Sequence, residues 1–134
     1  MANFRSIEFI LYVSDQERSK TFYKTLLQSE PVLDVIGMTE FALTDSCKLG
    51  LMPNKGIARI IGETLPHPES GTGIPRCELY LIVEDAREAF KHAMHCGARL
   101  VSPVADRDWG DRVGYVADPD GHVIALAQYI KTGG

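Results

Sequence analysis

The N-terminal part of the chain alternates between apolar runs and short polar breaks. Ile7–Val13 is an apolar, β-rich run that predicts a strand. Ser14 and Glu17 have the spacing of a capping box, which predicts that a helix begins here. The apolar stripe of this helix consists of Phe22, Leu26 and Leu27. Three further strands are predicted after Pro31, at residues 32–36, 40–44 and 48–52. The predicted order is therefore β, α, β, β, β.

The C-terminal part of the chain repeats this order. Residues 8–15 overlay residues 78–85 at a constant offset of 70, and Glu78–Val83 predicts the strand that opens the second copy. Asp85 and Glu88 repeat the capping spacing, and Gly97 is placed to end the second helix in the left-handed conformation. A short strand is predicted at Arg99–Ser102.

A hairpin completes the second copy. The sequence Asp118-Pro119-Asp120-Gly121 has the residues of a type I turn. On the strand after the turn, one side carries Ile124, Leu126 and Gln128, and the other carries Val123, Ala125 and Ala127. The first side has the large aliphatic residues of a core. The second side narrows to small residues, which indicates room for a ligand.

These elements predict a single α+β domain over residues 1–134. Module 1 spans about 4–53 and module 2 about 76–130, and the Pro- and Gly-rich segment 54–75 is predicted to be a linker whose only local structure is a short apolar turn at 57–61. One helix cannot cover both faces of a four-stranded sheet. We therefore expect two βαβββ modules to pair into a curved mixed sheet with the helices outside and a concave face inside.

Composition narrows the classes of partner. The chain has 14 basic and 18 acidic residues, a net charge of −4 and no run of like charge, which argues against nucleic acid and anionic membranes. Three cysteines without CxxC spacing favour a reducing compartment, and no secretory leader or membrane-spanning run is visible, so we expect a cytoplasmic protein. No phosphate loop or dinucleotide fingerprint is present, so no cofactor is predicted.

Several polar and aromatic residues are candidates for a site. Trp109 and Arg112 lie in the approach to the hairpin, where they are either a loop anchor and a surface charge or a stacking lid and an anion contact. Glu8 and Glu78 are either acidic groups facing a cleft or carboxylates at strand ends, where they are solvated or form salt bridges with Arg5, Lys48 or Arg76. His92 and His95 share a helix face, but no third ligand lies nearby in sequence, so an exposed helix end is the favoured interpretation.

Four motifs resemble the vicinal oxygen chelate superfamily, which includes glyoxalase I, fosfomycin-resistance proteins, extradiol dioxygenases and bleomycin-resistance proteins. The motifs are FILYVSD, RSKTFYKTLL, GARLVSP and WGDRVGYVADPDGHVIAL. The resemblance covers essentially the whole chain and implies a glyoxalase/bleomycin-resistance-like fold and a homodimer. Where the family usually has Leu-Gly after the first helix, this chain has Leu27-Gln28, so the helix is expected to end differently.

The resemblance also implies four positions for metal ligands. They fall on Glu8, on or next to Gly50, on Glu78 and on Ala125. Because Gly50 and Ala125 have no ligating side chain, we expect no complete metal site, with Glu8 and Glu78 left as weak candidates for a hydrated divalent ion.

Two classes of function remain open. In the first, the protein binds or sequesters a small organic ligand at a site that includes Glu8, Gly50, Glu78, Trp109, Arg112 and Ala125. The ligand's positive group would lie between Glu8 and Glu78, which the repeat predicts to face one cavity, and its apolar part would lie against Trp109 and Ala125. In the second, the protein is a glyoxalase-type lyase or isomerase that uses Glu8 and Glu78, with or without a weakly held metal. The incomplete set of metal ligands favours the binding class, and whether a reaction is catalysed is left open.

Overall fold

The computed structural model describes residues 3–130, and the chain divides into two compact units with the boundary between Thr72 and Gly73. Among the described residues, the first unit contains four strands, two α-helices and a short 3₁₀ helix, and the second contains four strands and one helix. Within the described residues, no helix is long and apolar enough to span a membrane.

The first unit has the predicted order of elements. They are β1 (Ile7–Val13), α1 (Gln16–Leu27), β2 (Leu33–Val35), β3 (Met38–Thr44), β4 (Cys47–Pro53) and α2 (Asn54–Ile61). The sheet order is β1-β4-β3-β2, with β1 parallel to β4 and the other pairs antiparallel. Because side chains alternate along a strand, each strand presents one set of residues to the core and the other to the opposite face. The buried core residues of the strands are Val13, Phe41, Leu49 and Leu51.

Helix α1 begins one residue later than the sequence predicted. The N-cap is Asp15, whose side chain accepts a hydrogen bond from the backbone N–H of Arg18, and Ser14 instead accepts one from the Arg18 guanidinium. The assignment of the cap to Ser14 was therefore wrong. The helix ends at Leu27 because Gln28 takes the left-handed conformation (φ 53°), the position that glycine usually fills.

The segment between the modules contains regular structure that the sequence did not predict. Helix α2 occupies Asn54–Ile61, and a 3₁₀ helix occupies Pro68–Gly71. No side chain caps the start of α2, which follows Pro53 directly. The helix lies against β4 and β1, so packing on the sheet supplies the stabilisation that local capping does not.

The second unit contains β5 (Glu78–Ile82), α3 (Ala86–His95), β6 (Arg99–Asp106), β7 (Asp111–Ala117) and β8 (Val123–Tyr129). The sheet order is β5-β8-β7-β6, with β5 parallel to β8. Asp85 caps α3 as predicted, by accepting hydrogen bonds from the backbone N–H groups of Arg87 and Glu88. Two four-stranded mixed sheets with α-helices thus confirm the predicted α+β class and the two βαβββ modules.

The predicted turn between β7 and β8 is confirmed. The backbone N–H of Gly121 donates to the carbonyl of Asp118 at 3.0 Å, and Gly121 has a φ of 90°. The Asp118 side chain also accepts hydrogen bonds from the backbone N–H groups of Asp120 and His122. The turn fixes the register of the hairpin, which places Tyr115 opposite Ala125.

Candidate functional site

A polar cluster lies on the face of the first sheet opposite its buried core residues. The strand register places Glu8 beside Lys48, and it places Gly50 between Ile10 and Glu40. All five residues lie on the same face because they are separated by even numbers of residues along β1, β3 and β4. Leu49 and Leu51 point to the other side, where they are fully buried. The cluster is therefore built on three adjacent strands of one sheet.

Gly50 makes room for the carboxylate of Glu8. A Cβ atom at position 50 would lie 2.5 Å from Oε2 of Glu8 and 3.1 Å from the side chain of Ile10. Any residue larger than glycine would therefore displace the Glu8 carboxylate, whose flexible side chain is the part able to move. Glu8 extends across β4 because the side chain that would block it is missing.

One lysine is shared unequally between two carboxylates. The Lys48 ammonium donates a hydrogen bond to Oε1 of Glu40 at 3.0 Å, whereas it lies 3.9 Å from Oε1 of Glu8. The side chain of Glu8 retains 22% of its exposure and that of Glu40 retains 14%, so neither carboxylate is well solvated. Lys48 therefore forms the stronger ion pair with Glu40, and its electrostatic attraction to Glu8 is weaker.

The pKa values of the two carboxyls move in opposite directions. Burial raises the pKa of Glu8, and the hydrogen bond and negative charge of Glu40 raise it further against the opposing charge of Lys48. The hydrogen bond from Lys48 lowers the pKa of Glu40, and its hydrogen bond with Glu8 lowers it further. A proton shared by the pair therefore belongs to Glu8, which donates it to Glu40.

The second oxygen of Glu8 lacks a donor when the carboxyl is ionised. Oε2 is buried, and within residues 3–130 no group donates a hydrogen bond to it. A buried acceptor without a donor is costly, and the cost is larger for a charged one. A proton on Glu8 removes the charge, and a donor from outside residues 3–130 would satisfy Oε2.

The equivalent positions in the second module have different chemistry. Glu78 pairs with Val123 on β8, where the first module has Lys48, and Tyr80 pairs with Ala125. Ala125 is fully buried, and it carries a methyl group at the position where the first module has Gly50. Glu78 is exposed. The two glutamates that the repeat makes equivalent therefore have different surroundings, and their convergence on one cavity stays a prediction.

Two tyrosines fill part of the small-residue face of β8. Val113, Ala125 and Ala127 form a buried cluster, and Tyr80 and Tyr115 pack against it. The small-residue face is present, but these side chains take part of the room above it, and room for a ligand there stays a prediction. Burial raises the pKa of Tyr115, as do the charges of Glu78 and Asp111, against the opposing charge of Arg107.

The other predicted site residues are placed as follows. Trp109 donates a hydrogen bond from its indole Nε1 to the Tyr80 hydroxyl at 2.8 Å. Arg112 is paired with Asp106 at 2.8 Å and alternates with Val113, so it lies on the face of β7 away from Ala125. The cation near this tyrosine cluster is instead Arg107, whose guanidinium lies 5.2 Å from the ring centroid of Tyr115. Sequence reasoning identified Lys48 only as a salt-bridge partner and missed Glu40 and Arg107.

The residues at the four implied metal positions do not form a complete set of ligands. Gly50 and Ala125 contribute no donor atom, and burial of Ala125 leaves its position closed. A separate group, Asp118, Asp120 and His122, brings three potential ligand atoms within 4.8 Å of one another at the hairpin turn. Asp118 is buried and already accepts two backbone hydrogen bonds there, so its geometry is explained by the turn.

Comparisons with known proteins agree on the fold. A solved glyoxalase/bleomycin resistance protein/dioxygenase from Nocardioides is 20% identical, with a TM-score of 0.78, and the match covers 100% of this chain and 88% of that one. A glyoxalase-related enzyme from Fulvimarina pelagi is 22% identical, with a TM-score of 0.77 over 92% of this chain and 86% of that one. At these identities the likeness supports the fold alone.

A curated relative extends the comparison at the level of sequence. An uncharacterized protein of Mycobacterium bovis is 36% identical over 81 residues, which are 60% of this chain and 53% of that protein. The chain thus spans about half the length of the curated relatives it matches. The model of the glyoxalase-like domain family matches residues 6–131. That match covers nearly the whole chain, and the chain belongs to the glyoxalase-like domain family.

Proposed function

We propose that the protein binds a small organic ligand and that Glu8 accepts a hydrogen bond from a positively charged group of that ligand. The observation that carries this proposal is the buried Oε2 of Glu8, to which no group within residues 3–130 donates. Gly50 holds the space in which this oxygen lies. The Glu8 side chain is flexible and 22% exposed, so a turn of its carboxyl would bring Oε2 to a ligand ammonium, which would supply the donor that the ionised carboxyl lacks.

The charge of the cluster favours a cation over a neutral donor. When Glu8 is ionised, Glu8 and Glu40 carry two negative charges against the single positive charge of Lys48, which lies closer to Glu40. At an effective dielectric constant of about 20, an ammonium roughly 4 Å from a carboxylate gains about 4 kcal/mol before its desolvation is counted. An anion would meet repulsion from the same two carboxylates.

The surroundings of the cluster suit an apolar ligand body. Ile10 and Tyr12 continue the same face of β1 and are exposed, and Met38 and Met52 lie on that face of β3 and β4 with partial exposure. Flexible methionine side chains adapt to ligands of different shape. We therefore infer a ligand with one primary amine or amidine and an aliphatic or aromatic remainder.

A thermal-shift screen of matched compounds tests this proposal. Each primary amine is compared, near neutral pH, with the alcohol of the same carbon skeleton. We expect amines to raise the melting temperature more than their alcohols, and Glu8→Gln to weaken the best amine by roughly 10–100-fold, the value of a charge-assisted hydrogen bond. Glu30→Gln is the matched control, because Glu30 is an exposed carboxylate paired with Lys24. Equal shifts from amines and alcohols, or full amine binding by Glu8→Gln, would contradict the proposal.

A second candidate function is glyoxalase-type lyase or isomerase activity using Glu8 and Glu78, with or without a weakly held divalent ion. The raised pKa of Glu8 favours this activity, because a carboxyl whose pKa lies closer to neutral pH exchanges protons with a substrate more readily. Exchange of deuterium from solvent into the carbon beside the carbonyl of an α-hydroxyketone, measured with and without Mn²⁺, tests this. Exchange that depends on Glu8 would support the enzyme class, and its absence in both conditions would count against it.

A further inference from the structure

The loop between β6 and β7 holds an exposed aromatic ring in a fixed position. Trp109 is the single tryptophan of the chain and is 58% exposed. Its indole N–H donates to the Tyr80 hydroxyl at 2.8 Å, and that hydroxyl donates to Oδ2 of Asp111 at 2.6 Å. An exposed loop side chain ordinarily changes rotamer freely. Two consecutive hydrogen bonds instead tie this indole to strands β5 and β7.

The hydrogen bonds leave the ring face as the contact that Trp109 offers. The indole N–H is the side chain's one donor, and it is used within the chain. The exposed remainder is a flat, apolar π surface, which favours flat partners through stacking and positive partners through its quadrupole. Because the ring is already ordered, binding of a partner loses less conformational entropy than it would with a mobile ring.

Charges around the ring favour a positive partner. The Asp111 carboxylate lies one hydrogen bond beyond Tyr80, and Asp108 is exposed next to Trp109 in the loop. The basic residue nearest to Trp109 in the sequence, Arg107, is held by hydrogen bonds to the carbonyls of Val113 and Pro103. Its guanidinium lies over the ring of Tyr115, so this module already binds one planar cation of its own on an aromatic face.

We propose that Trp109 is a stacking platform for a planar aromatic cation, with Tyr80 and Asp111 as its positioning residues. The site is defined within the second module and does not depend on the Glu8 cluster. The two proposals therefore fail or succeed separately, since one requires Glu8 and the other requires Tyr80.

The single indole N–H gives a direct readout by NMR of ¹⁵N-labelled protein. Three probes are compared: benzamidinium is planar and positive, cyclohexanecarboxamidinium is positive with a saturated ring, and benzamide is planar and neutral. We expect benzamidinium to shift the indole cross-peak saturably and with higher affinity than either of the others. A saturated or neutral probe that binds as tightly as benzamidinium, or the absence of any saturable shift, would overturn the proposal.

Substitution of the positioning residue separates a platform from a merely exposed ring. Tyr80→Phe removes both hydrogen bonds while keeping the ring that packs on the buried cluster. We expect the free indole peak to move and sharpen, and benzamidinium affinity to fall about tenfold, as for loss of one hydrogen bond. Tyr23→Phe in helix α1, which removes a hydroxyl outside both proposed sites, is the control and should leave both unchanged. An unchanged indole peak and affinity in Tyr80→Phe would refute the role of Tyr80.

Discussion

Replacing Glu8 with glutamine is predicted to stabilise the protein near neutral pH. Glutamine has nearly the same shape, lacks the charge, and can donate to Glu40 through its amide. In the wild type, ionised Glu8 has a buried oxygen without a donor among the described residues and a neighbouring carboxylate. Glutamine keeps an oxygen at that place but removes its charge, and the cost of an unsatisfied buried group, about 1–3 kcal/mol, is larger for a charged one. Because the side chain is 22% exposed, we expect the substitution to raise the free energy of unfolding by about 1 kcal/mol.

The stabilisation has a defined pH dependence. A carboxyl whose pKa is raised on folding contributes stability at pH values below its unfolded value, here 4.5, and loses that contribution as pH rises through the folded value. Wild type and Glu8→Gln should therefore have similar free energies of unfolding in acid. The difference in free energy of unfolding between the two proteins should increase as pH rises above 4.5 and become constant once Glu8 is fully ionised in the folded protein.

Urea unfolding monitored by circular dichroism across this pH range measures the difference. A change of about 1 kcal/mol corresponds to roughly 3–5 °C in melting temperature for a chain of this size. Glu30→Gln should show no such pH-dependent gap, because its side chain is 74% exposed. A Glu8→Gln variant that is less stable than wild type near neutral pH, or a gap that closes as pH rises, would refute this account of Glu8.

Four further predictions follow from the same structure. Gly50→Ala should fold, with a loss of about 1 kcal/mol, because the added Cβ meets the end of a flexible side chain, yet it should abolish the amine preference in the thermal-shift screen by moving Glu8. Asp15→Ala should reduce the free energy of unfolding by about 1 kcal/mol in urea titrations, and Ser14→Ala by clearly less, because Asp15 is the cap of α1. Gln28→Gly should raise that free energy by about 0.5–1 kcal/mol, because Gln28 has a φ of 53°. Light scattering at micromolar concentration should give the mass of the homodimer that the family resemblance implies, and a monomer mass would contradict it.

Features that depend on neighbouring residues were predictable from sequence. The alternation on β7 and β8 and the turn at Asp118 are local patterns, and both are present as expected. The cap of α1 was misplaced by one residue because Ser14 and Asp15 are both good caps, and only the backbone conformation selects between them. Helix α2 was missed because Pro53 directly precedes it and Gly56 interrupts its local signal, while its contacts with β1 are distant in sequence.

Features that depend on strand register were not predictable. Glu40 belongs to the Glu8 cluster because β4 lies between β1 and β3, which places Glu40 opposite Gly50. No spacing within the sequence connects Glu40 to Glu8. The modules differ by a single residue at equivalent positions, Gly50 and Ala125, and the sequence shows this difference. Its effect on the neighbouring glutamates could be recognised only from the register of both sheets.

The central claim is that the Glu8 carboxylate, held over Gly50, accepts a positive group of a small ligand. Its most direct test is the ¹³C chemical shift of the Glu8 carboxyl carbon, assigned by comparison with Glu8→Gln and followed near neutral pH during titration with n-butylammonium and, separately, with n-butanol. We expect a saturable shift with the ammonium, none with the alcohol, and loss of the response in Gly50→Ala. A Glu8 signal that does not respond to the ammonium, or that responds equally to the alcohol, would contradict it.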